Sequence, residues 1–315
     1  MNAVAFEYPK AWPKPVYDFK KNPLTEEKFQ LGRKLFYDPI LSRDATISCA
    51  SCHLQATGFT HIDHELSHGI EGKIGTRNSM TLQNLAWNKN FMWDGAVNHL
   101  DMQALAPIES EVEMDEKFDK VVAKLNQDVV YKKLFYNAFG TNTITGQLTL
   151  KAIAQFLVQL KTYKSKYDNV MSGNATFSEM EMKGYEIFKD KCASCHKEPL
   201  FTSNEFKNNG LEVDVTLNDY GRMRITQNPK DSLLFKVPTL RNIEFSFPYM
   251  HDGRFSNLVE VIKHYNNGIK ISKSISKELK KPLHLSDKQL TELISFLKTL
   301  TDKEFLFNKK FGYPK

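Results

Sequence analysis

The stretch ISCASCHLQATGF (residues 47–59) contains a pentapeptide, Cys-Ala-Ser-Cys-His, that returns at residues 192–196 inside DKCASCHKEPLF (190–201). The four cysteines of the chain, Cys49, Cys52, Cys192 and Cys195, all lie in these two copies, and His53 or His196 follows each pair at once. Two thiols two residues apart with a histidine directly behind them have the spacing of covalent c-type haem attachment. The thiols add across the haem vinyl groups, and the histidine reaches the iron from the proximal side. A thioredoxin-like motif would want a βαβ setting, and half a zinc site would not require an adjacent histidine twice over. A disulfide across a two-residue gap would close a small loop with poor geometry. The duplicated spacing therefore predicts two c-type haems.

At 315 residues the chain is long enough for two domains, and its 41% hydrophobic content suits a globular protein. No eighteen-residue apolar run is present, so no transmembrane segment is expected. The first residues, MNAVAFEYPKAWPKPVYDF, lack a basic region followed by an apolar one. Because c-type haem is normally attached outside the cytoplasmic membrane, the expectation is a periplasmic, mature chain whose export signal has been removed. The formal charge of +6 is carried by interspersed rather than blocked residues, and four haem propionates would cancel most of it. That pattern is a solvated surface and gives no reason to expect a nucleic-acid partner.

The repeat extends beyond the haem motifs. LGRKLFYD (31–38) and KGYEIFKD (183–190) each lie in an amphipathic stretch that opens on a capping residue, Thr25 or Ser178, followed by acidic residues. Downstream, TLQNLAWNKNFMWDG (81–95) aligns without gaps on TLRNIEFSFPYMHDG (239–253), sharing T-L-x-N and M-x-D-G. Apolar positions 153, 156, 157 and 160 form a helical stripe within 149–168, and 286–300 repeats the pattern behind Ser286. The turn-forming MSGNATFS (171–178) reads as the junction. The expected fold is mainly α, with two loop-rich cytochrome-c-like domains, 20–169 and 175–305, each holding one covalently attached haem and each haem motif fed by a helix.

The paired haem motifs, together with S-H-G (67–69), W-D-G (93–95), P-I-x-x-x-V-E-M (107–114), G-R-x-x-I-T (221–226), P-T-L-R-N (238–242) and P-Y-M-H-D-G (248–253), resemble the bacterial di-haem cytochrome c peroxidases and their relative MauG. The resemblance runs over nearly the whole chain. It implies that the haem of Cys49, Cys52 and His53 is the peroxidatic one, with His68 as its removable sixth ligand and His61 and His64 as competitors. It further implies that Glu113 is the distal acid–base group, that Gln103 and Pro107 line the same pocket, and that Trp93 assists electron transfer between the haems. A calcium ion between the domains would be held by Asn78 and the carbonyls of Ser246 and Pro248, hard oxygen donors of the kind calcium takes. The haem of Cys192, Cys195 and His196 would take in electrons. Its sixth ligand in the ordinary peroxidases is a methionine fourteen residues after the histidine of P-Y-x-H-x-G; here that count reaches Tyr265, as in MauG, with Met250 and His264 as alternatives. A phenolate favours ferric and higher oxidation states where a thioether favours ferrous iron.

Three functions are therefore expected. One is reduction of hydrogen peroxide with electrons from a small cytochrome or copper protein, and the retained S-H-G loop favours it. Another is long-range oxidation of a protein side chain, which Tyr265 favours. The last is a non-catalytic electron carrier, which would need no Glu113. A homodimer is implied by the resemblance alone.

Overall fold

The computed structural model describes residues 3–314, and the chain is mainly helical with one two-residue antiparallel ladder. Two helix pairs set the architecture. The first joins α1 (Glu26–Tyr37) to α2 (Gly146–Gln159), and the second joins α3 (Glu179–Lys191) to α4 (Asp287–Lys298). Thr25 and Ser178 cap α1 and α3, accepting hydrogen bonds from the Lys28 and Glu181 amides at 3.2 and 3.3 Å. Each pair crosses at a glycine. A Cβ on Gly32 would stand 2.0 Å from the Ala152 carbonyl oxygen, and one on Gly184 would stand 2.0 Å from that of Glu292. Only glycine permits so close an approach of two backbones.

The second repeated segment has a structural reason as well. Asn84 and Asn242, the shared Asn of T-L-x-N, both adopt left-handed backbone (φ 55° and 57°), which Asn tolerates better than most residues. The Asn84 side chain clips Thr162 just past α2, donating to its carbonyl and accepting from its amide, both at 3.0 Å. Asn242 accepts from the Asp302 amide at 2.7 Å just past α4. Met92 and Met250 in M-x-D-G are likewise both left-handed (φ 67° and 77°), so Met250 shares a turn geometry with its counterpart.

Each half buries its own core. One collects Phe29, Leu35 and Phe36 from α1 with Ile153, Phe156 and Leu157 from α2; the other collects Phe188, Phe201, Leu293 and Phe296. The stripe at 153, 156, 157 and 160 is buried as expected, but the helix stops at Gln159 and a new short helix, Lys166–Met171, begins behind a Ser165 capping box. Chain ends cross the limits expected from sequence. Trp12 joins the first core, and so do Phe305, Leu306 and Phe311 from beyond residue 300. This tail is tied down by Gln55 donating to the Asn308 carbonyl at 2.8 Å and Tyr37 donating to that of Phe311 at 2.8 Å. The first haem motif is also not fed directly by a helix: α1 ends at Tyr37 and a loop intervenes, whereas α3 runs up to Cys192.

Arg241 of P-T-L-R-N is fully buried and locks the second half together. It pairs with both carboxylate oxygens of Asp168 (2.8 and 2.9 Å) and donates to the Pro199 carbonyl (2.7 and 2.9 Å). A buried guanidinium is tolerated because its fork of donors is satisfied in this way. Among the described residues no helix is long and apolar enough to cross a membrane.

Candidate functional site

The two Cys-x-x-Cys-His segments present the same local device. His53 Nδ1 lies 2.7 Å from the Phe59 carbonyl, and His196 Nδ1 lies 3.2 and 3.1 Å from the carbonyls of Phe201 and Pro238. A ring nitrogen that donates to a carbonyl fixes the tautomer and leaves Nε2 as the lone-pair donor for a metal. Burial pushes both imidazoles down to about 4, so they are neutral at physiological pH, the state a ligand requires. None of the four cysteines is in a disulfide, and burial raises the thiols of Cys49 and Cys192 to about 12. These donors fit covalent haem attachment at both positions.

A cavity of about 520 Å³ runs from the first motif into the space between the halves. Cys49, Cys52 and His53 line it together with Trp93, Gln103, Pro107 and Glu113, so tertiary structure gathers residues spread over more than sixty positions. Asn78, Ser246 and Pro248 line the same cavity, as does Met250. The helix Leu105–Glu109 and the turn after it carry Glu113 into place, with its amide donating to the Ser110 carbonyl at 3.0 Å. The S-H-G loop supports it from the other side. The Ile70 amide donates to the Glu113 carbonyl at 2.8 Å, and a Cβ on Gly69 would meet Glu113 Cα at 2.5 Å.

The acidic crowd around Glu113 sorts itself by partner. Asp115 pairs with Arg43 at 2.5 Å, Glu116 pairs with Lys124 at 2.6 Å, and Glu109 accepts from the Phe118 amide at 3.3 Å, while Glu111 is exposed. Glu113 makes no side-chain hydrogen bond or ion pair with the described residues, and burial alone raises its pKa above the ordinary carboxylate range. Gln103 donates toward Met92 Sδ at 3.9 Å. Trp93 is held by its indole N–H, which donates to the Asn78 carbonyl at 2.9 Å.

His68 is not among the residues lining the cavity. Its carbonyl lies 3.4 Å from Cys52 Sγ, but its ring stacks on His64 (centroids 3.8 Å apart), which stacks on His61 at 5.1 Å. His68 and its competitors His61 and His64 thus form one stack on the loop. The second site is organised around Asn209. Its carbonyl meets His264 Nε2 at 2.9 Å, and its amide donates to Met250 Sδ at 3.3 Å. Tyr265 sits in a π-helical turn, His264–Gly268, and burial, with Cys192 and Cys195 nearby, pushes its phenol well above the usual range. His264 has its Nε2 committed, and Met250 belongs to the first cavity.

Several residues went unnoticed in the sequence. Arg77 joins the halves through Asp94 and Asp219, both at 2.6 Å, and Arg222 donates to the Asp94 carbonyl at 2.9 Å. Asp94 lay in the repeated M-x-D-G, which was a usable signal; Asn209 and Lys236, a cavity-lining lysine, had none beyond their proximity to motifs.

Sequence comparison agrees with this geometry. A model of the family described as di-haem cytochrome c peroxidase matches residues 26–176, and one described as cytochrome c matches residues 181–301. The chain is 35% identical to the methylamine utilization protein MauG of Methylorubrum extorquens, over 94% of this chain and 83% of that protein. The chain belongs to the di-haem cytochrome c peroxidase and MauG family. Members of this family carry two c-type haems, and the two motifs here fit their attachment. The cytochrome c551 peroxidase of Nitrosomonas europaea is 33% identical, over 89% of this chain and 81% of that one. A crystal structure of a MauG-like protein associated with microbial copper homeostasis superposes with a TM-score of 0.87, at 31% identity and over 99% of both chains.

Proposed function

We propose that this chain is an oxidoreductase that reduces hydrogen peroxide to two waters, consuming two electrons and two protons, at the Cys49, Cys52 and His53 site. The observation that carries this reading is the unpaired carboxyl of Glu113 on the wall of the cavity that the first haem motif lines. The haems, when bound, supply the iron that takes peroxide and the path by which electrons arrive. Glu113 accepts the proton from the near peroxide oxygen and returns it to the far one, which leaves as water. Such a group must be able to hold a proton near neutral pH, and burial without a cationic partner favours that. Gln103 and Pro107 confine peroxide beside it. Electrons from a small cytochrome or copper protein enter at the Cys192, Cys195 and His196 site and pass by Trp93.

His68 would be a removable ligand to the iron of that haem; its ring stacks on His64, so ligation would require the loop from His61 to turn. The Asn78 side-chain oxygen and the carbonyls of Ser246 and Pro248 would hold a calcium ion. The Asn78 amide donates to the Glu65 carbonyl at 2.9 Å, which leaves its oxygen uncommitted, and the two carbonyls accept no hydrogen bond from the described residues. We place the protein in the periplasm, where c-type haem is attached, as a homodimer.

Tyr265 favours a second reading, long-range oxidation of a protein side chain, because it lies near Cys192 and Cys195, where a phenolate ligand would favour higher oxidation states of the iron. Steady-state peroxide consumption with a reduced cytochrome donor separates the two. Sustained turnover supports the peroxidase; feeble turnover with peroxide-dependent oxidation of an added protein supports the alternative. Absence of both would leave an electron carrier.

A further inference from the structure

We propose that Lys236 is the anion-binding pole of the cavity and holds a propionate of the haem attached at Cys49 and Cys52. The proposal rests on that haem being bound there.

Lys236 is 5% exposed, lines the cavity, and its ammonium has no hydrogen bond and no carboxylate within 4.0 Å among the described residues. A buried charge is retained when something pairs with it. The other cations of the cavity are spoken for: Arg77 by Asp94 and Asp219, and Arg224, which is half exposed, by Asp219 at 3.9 Å. The cavity's carboxyls offer no substitute partner, since Asp94 is held by Arg77 and Glu113 has no cation near it. Burial alone pulls the lysine down to about 8, a cost that an anion in the cavity would reverse.

The backbone aims the side chain there. Lys236 lies on the short strand Phe235–Lys236, paired with Phe206–Lys207, and its amide donates to the Trp93 carbonyl at 2.7 Å. Phe235 faces His251 and Arg77, with ring centroids 3.7 Å apart and the guanidinium 5.9 Å away. Strand alternation then sends Lys236 to the opposite face, into the cavity. A haem tethered through its vinyl edge at Cys49 and Cys52 presents its two propionates on the far edge of the ring. These are the anions that the attached group itself brings to a cavity whose second-half wall contains Lys236.

The test uses the holoprotein, with haem content measured as pyridine haemochrome so that loss of the haems is distinguished from loss of the contact. In Lys236→Met the one-electron equilibrium of the first haem should shift at least tenfold toward ferric, about 59 mV, because a positive charge near the iron has been removed. The propionate bending band in resonance Raman should move with it, and Lys236→Arg should restore the potential to within threefold. Unchanged potential and band in Lys236→Met would overturn the proposal, as would a shift confined to the His196 haem. Should Lys236→Met fail to load haem, Lys236→Gln decides, since an unchanged potential and propionate band in that variant refute the contact.

Discussion

Replacing Glu113 by Gln removes one proton site and little else. The side chain has no hydrogen bond or ion pair to lose, the substitution is nearly isosteric, and the backbone is fixed independently by Ser110 and Ile70. If Glu113 moves the proton between the peroxide oxygens, turnover should fall by roughly 10² to 10⁴-fold, the usual worth of a positioned acid–base group. That is about 2.7 to 5.5 kcal/mol of barrier. Stability should move the other way. Burial raises the folded pKa of Glu113 above its unfolded value, so its stabilising share is present below the unfolded pKa and is lost as pH rises through the folded one. Glutamine carries no such proton, and the variant's Tm at neutral pH should equal or exceed that of the wild type, with a flatter dependence on pH. The assay is steady-state peroxide consumption with a reduced cytochrome donor, beside thermal unfolding followed across the acid-to-neutral range. Unchanged turnover at equal haem content would refute the role. So would a loss of turnover matched by a fall in Tm, because the cause would then be damage to the fold.

Gly69→Ala should lower turnover, since its Cβ would stand 2.3 Å from the Val112 carbonyl oxygen and displace Glu113; normal kinetics would show that the loop yields freely. Gly184→Ala should destabilise the second half by about 1 to 3 kcal/mol or more through overpacking against Glu292, measured by denaturant unfolding, and an unchanged midpoint would contradict the close crossing. Phe305→Ala, although late in the chain, should cost about 3 to 5 kcal/mol because its ring is buried in the first core; amide exchange should report the loss in α1 and α2 rather than in α3. In Tyr265→Phe the absorption and paramagnetic resonance of the second haem should change while the first is preserved, and identical spectra would reject ligation by the phenol.

The attachment chemistry was legible in the sequence, because c-type haem ligation is local: Cys-x-x-Cys-His needs only five consecutive residues, and its duplication predicted a two-part helical fold. The capping residues Thr25, Ser178 and Ser286 were legible for the same reason, as each bonds an amide three residues away. The repeated T-L-x-N was visible, but its purpose was not, since Asn84 and Asn242 act on Thr162 and Asp302, far along the chain. The P-I-x-x-x-V-E-M resemblance singled out Glu113, but nothing in the sequence sorted the carboxylates around it by partner. Their difference comes from Arg43 and Lys124, which reach Asp115 and Glu116 from elsewhere and leave Glu113 unpaired. Likewise the stacking of His61, His64 and His68 came only with folding, and Lys236 looked like any other lysine until a strand turned it into a cavity. Covalent and capping contacts span a few bonds of chain and are written in spacing. Charge pairing and burial depend on which distant residues packing brings together, so only the tertiary structure could decide them.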